Sequence, residues 1–245
     1  MKINWNYIKG SLLIVALLFL LGFSNYRNEG KKVTSVDVKF EQGENLFMSY
    51  EMVNKLLIQN QKHVKNQAKS LINLSSLEKQ VLSHPMVENA TTFLTIDGQL
   101  KTSVKQRTPI GRVNANSESY YIDRQGEKMP LSKNHSARVP IITGLSITEN
   151  IEDVYTLLTY IKRDVFLKKQ VVGIHKSAEN DFILMTRIGS HKINLGGIEN
   201  LEVKFKNLKA FYNYTMTNKT IENYRIINLK YNNQVVCTKK ERNGA

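Results

Sequence analysis

Cysteine occurs once, at Cys237, so the chain has no second thiol for an internal disulfide and no thiolate cluster for a zinc site. Proline is scarce at 4 residues and glycine supplies only 13, which excludes collagen-like and Pro/Gly-rich disordered chains. There is no H-E-x-x-H pair, no G-x-S-x-G elbow and no Walker loop. The common sequence marks of zinc hydrolases, serine hydrolases and phosphate-cradling nucleotidases are therefore missing. Acidic residues are in deficit: 21 Asp+Glu stand against 35 Lys+Arg, a formal net charge of +14. That surplus favours anionic partners and is silent about fold. What is present is 41% hydrophobic residues over 245 positions, room for one large domain or two small ones.

The longest apolar run is LLIVALLFLLGF, from Leu12 to Phe23, without a charge. Extended back to Trp5 it is about long enough to cross a bilayer as a helix. Lys9 interrupts it only near its end, where a long side chain snorkels to the headgroups. Trp5, Tyr7 and Tyr26 fall where interfacial aromatics belong. Gly22-Phe23-Ser24-Asn25 offers no clear small-x-small cleavage site, so a retained signal-anchor over 10–27 is favoured over a cleaved signal peptide. Lys2 and Lys9 on one side, and Arg27, Lys31 and Lys32 with Glu29 on the other, give no clean positive-inside answer. Residues 1–9 are assigned to a short cytoplasmic tail and everything after about 27 to the outside of an inner (cytoplasmic) membrane.

After the anchor, Val36, Val38 and Phe40 alternate as in a half-buried strand. Ser49 precedes the helical stripe Met52, Val53, Leu56, Leu57. Gln59 to Lys69 is polar with weak helical signal. Ser75 and Glu78 form a capping-box pattern ahead of Leu77 and Val81. Two alternating runs, Ala90–Ile96 and Leu100–Lys105, flank Asp97-Gly98, a hairpin signal in which both turn residues favour positive φ. Strand, helix, helix, strand, strand makes a small three-stranded sheet with two helices on one face. With the wording LSSLEKQVLSHPMVENATTFLTIDGQLKTSVKQRTPI, residues 33–110 resemble a POTRA domain.

Farther on, Tyr120–Ile122 reads as a strand and Asp123-Arg-Gln-Gly126 as a turn. Asn150 is a candidate cap for a helix with Ile151, Val154, Leu158 and Ile161 in register. Strands are expected at 170–174, 182–187 and 192–195. After the Gly196-Gly197 break comes a helix carrying Leu201, Phe205, Leu208 and Tyr212, then closing strands at 224–231 and 234–238. The stretch running from QRTPIGRV through YYIDRQG to VPIITG resembles the FtsQ/DivIB cell-division family. The resemblance spans nearly the whole chain. It implies an α+β protein: a transmembrane helix, a small POTRA domain (βααββ), and, over 111–245, a larger curved mixed β-sheet domain with flanking helices.

No residue constellation reads as catalytic, cofactor-binding or metal-binding. His63, His84, His135, His175 and His191 form no ligand cluster, and His191 reads as an exposed strand residue. Asp123 in its turn context reads as structural, and Arg107 as a solvated charge ending a strand. The basic residues alternate with apolar ones and include no aromatic-interleaved stretch, which argues against nucleic acid.

If binding carries the function, a sheet edge is its physical means. On the residues alone, Gln234–Thr238 completes the sheet. The family resemblance implies instead that the terminal strand and preceding helix receive FtsB-like and FtsL-like subunits by strand addition. The partner-binding candidates are Tyr231, Val235, Val236, Cys237 and Thr238, with Phe211 and Tyr212 on the helix. A proline or glutamate at Val236 is expected to spoil that edge. The implied role is a non-enzymatic bitopic scaffold of the divisome at the septum, regulating septal peptidoglycan synthesis, with no cofactor and no small-molecule substrate. A POTRA-bearing envelope secretion or assembly component is the alternative.

Overall fold

The computed structural model describes residues 5–41, 46–59, 62–115, 118–145 and 151–241. The chain divides into two compact units, Met1–Gln106 and Arg107–Ala245.

The first unit opens with helix α1 (Trp5–Glu29). Its stretch Ile8–Asn28 has a mean hydropathy of 1.9 and buries nothing against protein. It is long and apolar enough to cross a bilayer. It also runs past both ends of the expected 10–27 segment, because nothing in Trp5–Lys9 or Tyr26–Glu29 breaks a helix.

A small α+β body follows: β1 (Ser35–Phe40), α2 (Tyr50–Leu56), β2 (Ile58–Gln59), β3 (Lys62–His63), α3 (Leu74–Leu82), β4 (Val87–Leu94) and β5 (Gln99–Gln106). The main sheet has the order β1-β5-β4, with β1 parallel and β4 antiparallel to β5. Val38, Phe40, Val53, Leu57, Leu77, Val81, Ala90, Leu100 and Val104 are buried. This is the expected βααββ arrangement.

Two local readings change. Within Gln59–Lys69, Gln59 pairs with Lys62, beside Ile58 opposite His63, as two short antiparallel strands, and Lys69 opens a 3-10 turn. The cap of α3 is Asn73, whose Oδ1 accepts the Ser76 N–H at 3.0 Å, not Ser75. Glu78 does not complete a capping box either. Its carboxylate accepts the Thr92 N–H of β4 at 3.0 Å, so one amide of that edge strand is already satisfied.

The second unit contains β6 (Pro109–Ala115), β7 (Glu118–Asp123), β8 (Lys128–Pro130), β9 (Ile141–Thr143), α4 (Glu152–Arg163), α5 (Val165–Gln170), β10 (Val171–Lys176), β11 (Phe182–Thr186), β12 (Lys192–Gly196), α6 (Leu201–Thr217), β13 (Tyr224–Asn228) and β14 (Val236–Lys239). All nine strands form one mixed sheet in the order β14-β13-β12-β11-β10-β9-β6-β7-β8. Its register lines up a single row of side chains: Tyr120, Val113, Ile142, Ile174, Leu184, Ile193, Ile227 and Cys237. Every member but Cys237 is fully or almost fully buried, and the row joins Val154, Leu157, Leu158 and Ile161 of α4 and Leu201, Phe205, Leu208 and Tyr212 of α6 in one core. Period two in the strands and 3.6 in the helices are what bring these residues together. The neighbouring row on the opposite face is more open, with Ile141 and Met185 exposed.

The proposed cap Asn150 lies outside the described residues. Helix α5 was not anticipated. Asp164 interrupts α4 and caps α5, its Oδ1 accepting the N–H groups of Phe166 and Leu167 at 3.0 Å each. Burial pushes the Asp164 carboxyl up, but Lys209 and those two amides outweigh it and hold the group below its usual range.

Candidate functional site

The free end of the nine-stranded sheet is built by the last third of the chain. Helix α6 lays Leu201, Phe205, Leu208, Tyr212 and Thr215 onto the core. The chain then turns through Lys219, at φ 54°, and Ile221–Asn223, and re-enters as β13, parallel to β12. β13 ends at Asn228, three residues short of the expected Tyr231. The Leu229 N–H still donates to Asn194 O at 2.8 Å, one more rung of the parallel ladder with β12, and the Asn228 side chain then takes the Lys230 N–H at 2.9 Å and turns the chain. Asn233, at φ 56°, completes the reversal. β14 returns antiparallel to β13, with Ile227 opposite Cys237 and Asn228 opposite Val236.

β13 is the one strand that pairs with β14 among the described residues. The backbone direction of β14 follows from one bond: the Lys240 N–H donates to Asn223 O at 2.8 Å, flanking the Tyr224–Lys239 pair. Main-chain groups alternate in direction along an antiparallel strand. Val236 and Thr238 therefore turn theirs toward β13, and Cys237 and Lys239 turn theirs outward. A proline at 236 would therefore remove a donor of the β13 ladder, not one of the outer edge. The arrangement is a short edge with outward amides and carbonyls, ending in Lys239 and Lys240, the kind of charge that blunts indiscriminate pairing.

Side chains alternate too. Val235 and Cys237 pack partly buried against the core, and burial raises the Cys237 thiol above its ordinary range, which leaves it a poor nucleophile at neutral pH. Val236 is 44% exposed, and Thr238 projects to solvent beside it. Tyr231 is exposed in the turn. It lines an open cleft of about 290 Å³ with Leu229, Asn232, Asn233 and Gln234, and with Asn200, Val203, Lys204 and Asn207 of the α6 end. Sequence reasoning passed over that amide-rich rim; the Asn232-Asn233 pair between two strands was its available signal.

The two helix candidates separate. Phe211 is half-buried, edge-on to Tyr224 with ring centroids 5.1 Å apart, so it supports β13 from beneath. Tyr212 is 2% exposed and cannot meet a partner. Its hydroxyl lies 2.5 Å from His191 Nε2 and accepts Gln170 Nε2–H at 3.2 Å. Burial raises the Tyr212 phenol, while the Gln170 and Thr186 contacts partly offset that. His191, expected to be exposed, is 2% exposed, and its Nδ1 is buried without a hydrogen-bond partner. Burial, the largest effect, lowers its pKa from the ordinary histidine value; Glu222 opposes and Lys240 adds to that shift.

Elsewhere in the unit Asp123 is fully buried and fully engaged. Its Oδ1 accepts the N–H groups of Gln125 at 2.8 Å and Glu127 at 2.9 Å, and its Oδ2 pairs with Arg107 at 2.7 Å. Arg107, expected to be a solvated charge, instead neutralises a buried turn carboxylate. Among the described residues no group of three or more His, Cys, Asp or Glu side chains is placed to hold a metal ion.

The comparisons fall on the same two bodies. Residues 108–238 match the family described as FtsQ/DivIB, C-terminal related, and residues 31–105 match the POTRA-like domain. The cell division protein FtsQ of Salinibacter ruber (strain DSM 13855 / M31) is 27% identical over 184 aligned residues, covering 67% of this chain and 69% of the relative. With its apolar amino-terminal helix, its POTRA-like body and its mixed sheet in that order, the chain belongs to the FtsQ/DivIB family of cell-division proteins.

Proposed function

We propose that the protein is a single-pass scaffold of the septal division machinery, with its short amino terminus in the cytoplasm and both globular units outside. It acts by capturing a strand of a partner subunit on the outer edge of β14. The partners are FtsB-like and FtsL-like subunits, and the complex regulates septal peptidoglycan synthesis with no chemistry of its own. The observation that supports this is the terminal place of β14 in the sheet, with the main-chain groups of Cys237 and Lys239 directed away from β13. An added strand takes affinity from those groups and specificity from alternate side chains, here Val236 and Thr238 on one face, with Tyr231 and its cleft at the strand's start.

Tethering assists. Two components held in one membrane meet at high effective concentration, so a short edge with modest pairwise affinity suffices.

The test uses the full chain co-expressed with its FtsB-like and FtsL-like subunits and isolated in detergent. Lys239→Pro deletes one outward N–H and spares the β13 ladder; Val236→Glu places a charge on the exposed face. Each is expected to weaken capture by about tenfold or more, on the order of one lost hydrogen bond plus the steric cost of the ring or a desolvated charge. Thermal unfolding of the second unit should be unchanged. Wild-type capture in both variants would falsify the assignment of this edge.

A further inference from the structure

The end of the membrane helix is built into the first unit, not merely joined to it. After Glu29 the chain is tied down residue by residue. Lys31 O accepts the Lys69 N–H at 2.9 Å, and Lys32 bridges to Ala68. The Val33 N–H donates to Gln67 O at 2.8 Å and the Thr34 N–H to Gly98 O at 2.8 Å. Gly98, at φ +86°, sits so close that a Cβ there would stand 2.6 Å from Lys32 O. The Lys69 ammonium closes the arrangement, donating to Asn28 Oδ1 at 3.2 Å and to Ile96 O at 3.3 Å. Asn28 is the last residue of the apolar span. The β4–β5 hairpin tip is therefore held level with the point where α1 leaves the hydrocarbon.

Two large apolar side chains stand out at that level. Ile96 at the hairpin tip is 77% exposed, and Leu71, at the end of the turn Lys69–Leu71, is 68% exposed. Tyr26, 79% exposed one turn before the helix end, belongs to the same layer. The charged residues of these segments are Arg27, Lys31, Lys32 and Lys69, against Glu29 and Asp97. Apolar tips among a cationic majority, beside a membrane-spanning helix, match the composition of a bilayer's headgroup layer.

We propose that this face of the first unit is a membrane-docking surface: Ile96 and Leu71 insert at the headgroup–acyl boundary, while Arg27, Lys31, Lys32 and Lys69 engage the phosphates of anionic phospholipid. The occupant is lipid, chosen over protein because the patch continues directly from α1. Docking fixes the tilt of the POTRA-like body on the membrane. The proposal rests on α1 spanning the bilayer and adds to that reading a second contact with the same surface.

The experiment uses the full chain, with Cys237→Ser to remove the native thiol, reconstituted in nanodiscs of pure phosphatidylcholine or of phosphatidylcholine with phosphatidylglycerol. A nitroxide is placed in turn at Leu71→Cys, Ile96→Cys, Leu17→Cys and Lys219→Cys, the last an exposed reference in the second unit. Collision with a water-soluble nickel chelate is compared with collision with oxygen. Labels at 71 and 96 are expected to be shielded from nickel and open to oxygen, more so with phosphatidylglycerol. Replacing Lys31 or Lys32 by Gln should lower the docked population about fivefold for each cation removed. If 71 and 96 are as nickel-accessible as 219 while 17 is lipid-buried, the docking surface fails and the anchor stands. If 17 is accessible too, the anchor itself fails. Shielding that is equal in the two lipids, or that appears only when other membrane proteins are added, also overturns the proposal.

Discussion

His191 shows how much a single side chain can hide. Its ring is buried against Tyr212, with centroids 5.5 Å apart, and its Nδ1 has no hydrogen-bond partner. The groups facing it are Tyr212 and Gln170 through the phenol, Glu222 ahead of β13, and Lys240 after β14. Because burial lowers its pKa in the folded state, the unfolded chain takes up the proton first as pH falls below the ordinary 6.5. Its contribution to stability is therefore complete above that value and is lost on acidification, with a slope of at most about 1.4 kcal/mol per pH unit for one proton. Thermal melts of the second unit from pH 7.5 to 5 should show this loss, and His191→Gln should flatten the slope. An unchanged slope would remove His191 as its source. Neither His191 nor the Arg107–Asp123 pair was legible beforehand, for one reason: their partners are distant in sequence. Tyr212 looked like a core or partner residue, but nothing near it announced a histidine, and Arg107 beside Thr108-Pro109 gave no sign of a turn 16 positions on.

At the level of elements, local chemistry was readable wherever a pattern had one outcome. The Asp97-Gly98 hairpin signal and the Asp123–Gly126 turn both produced hairpins, and Asn180 makes a third of the same kind. In each, a β-turn closes onto the first residue (Gly98 N–H to Thr95 O at 3.1 Å, Gly126 N–H to Asp123 O at 3.1 Å, Asn180 N–H to Ser177 O at 3.0 Å). One residue with positive φ follows: Gly98, Gly126 or Asn180. Asp97 does not take positive φ, so the tip is a three-residue loop and not the two-residue turn expected from Asp-Gly. Capping was less legible because two arrangements competed for one helix. Asn73 wins since Glu78 gains more by satisfying the edge amide of Thr92 than by folding back on its own helix. That choice is measurable. Asn73→Ala should lower the stability of the first unit by about 1 kcal/mol, the usual cost of a lost cap, while Ser75→Ala should be near neutral. Equal losses in chemical denaturation would restore Ser75 as the cap. Strand β14, expected over 234–238, forms over Val236–Lys239: the Asn232-Asn233 turn and β-favouring residues make the strand legible, while its exact span follows from Ile227 and Cys237 meeting in register.

For the molecule as a whole, the sequence yields two folding units because each region contains a complete set of complementary faces. Residues 33–106 supply one sheet with α2 and α3 over it, and the second core draws every one of its buried members from 110–229. Composition could not reveal this, since the second sheet closes through pairings such as β9 with β6 and β10, which join segments far apart in the chain. The consequence is that residues 106–245 should fold without the anchor or the POTRA-like body, provided Arg107 is kept. Omitting it would leave Asp123, fully buried, with no cation at its Oδ2, a defect that costs several kcal/mol when one partner of a buried pair is removed. Scanning calorimetry of a 106–245 fragment should give a single cooperative transition with an enthalpy of about 100 kcal/mol near 60 °C, from roughly 0.7 kcal/mol per residue. A 108–245 fragment should melt about 10 °C lower or more. A broad, non-cooperative transition with dye-binding apolar surface in the longer fragment would show that its core depends on the preceding residues, and would leave the boundary at Gln106–Arg107 a geometric division without energetic meaning.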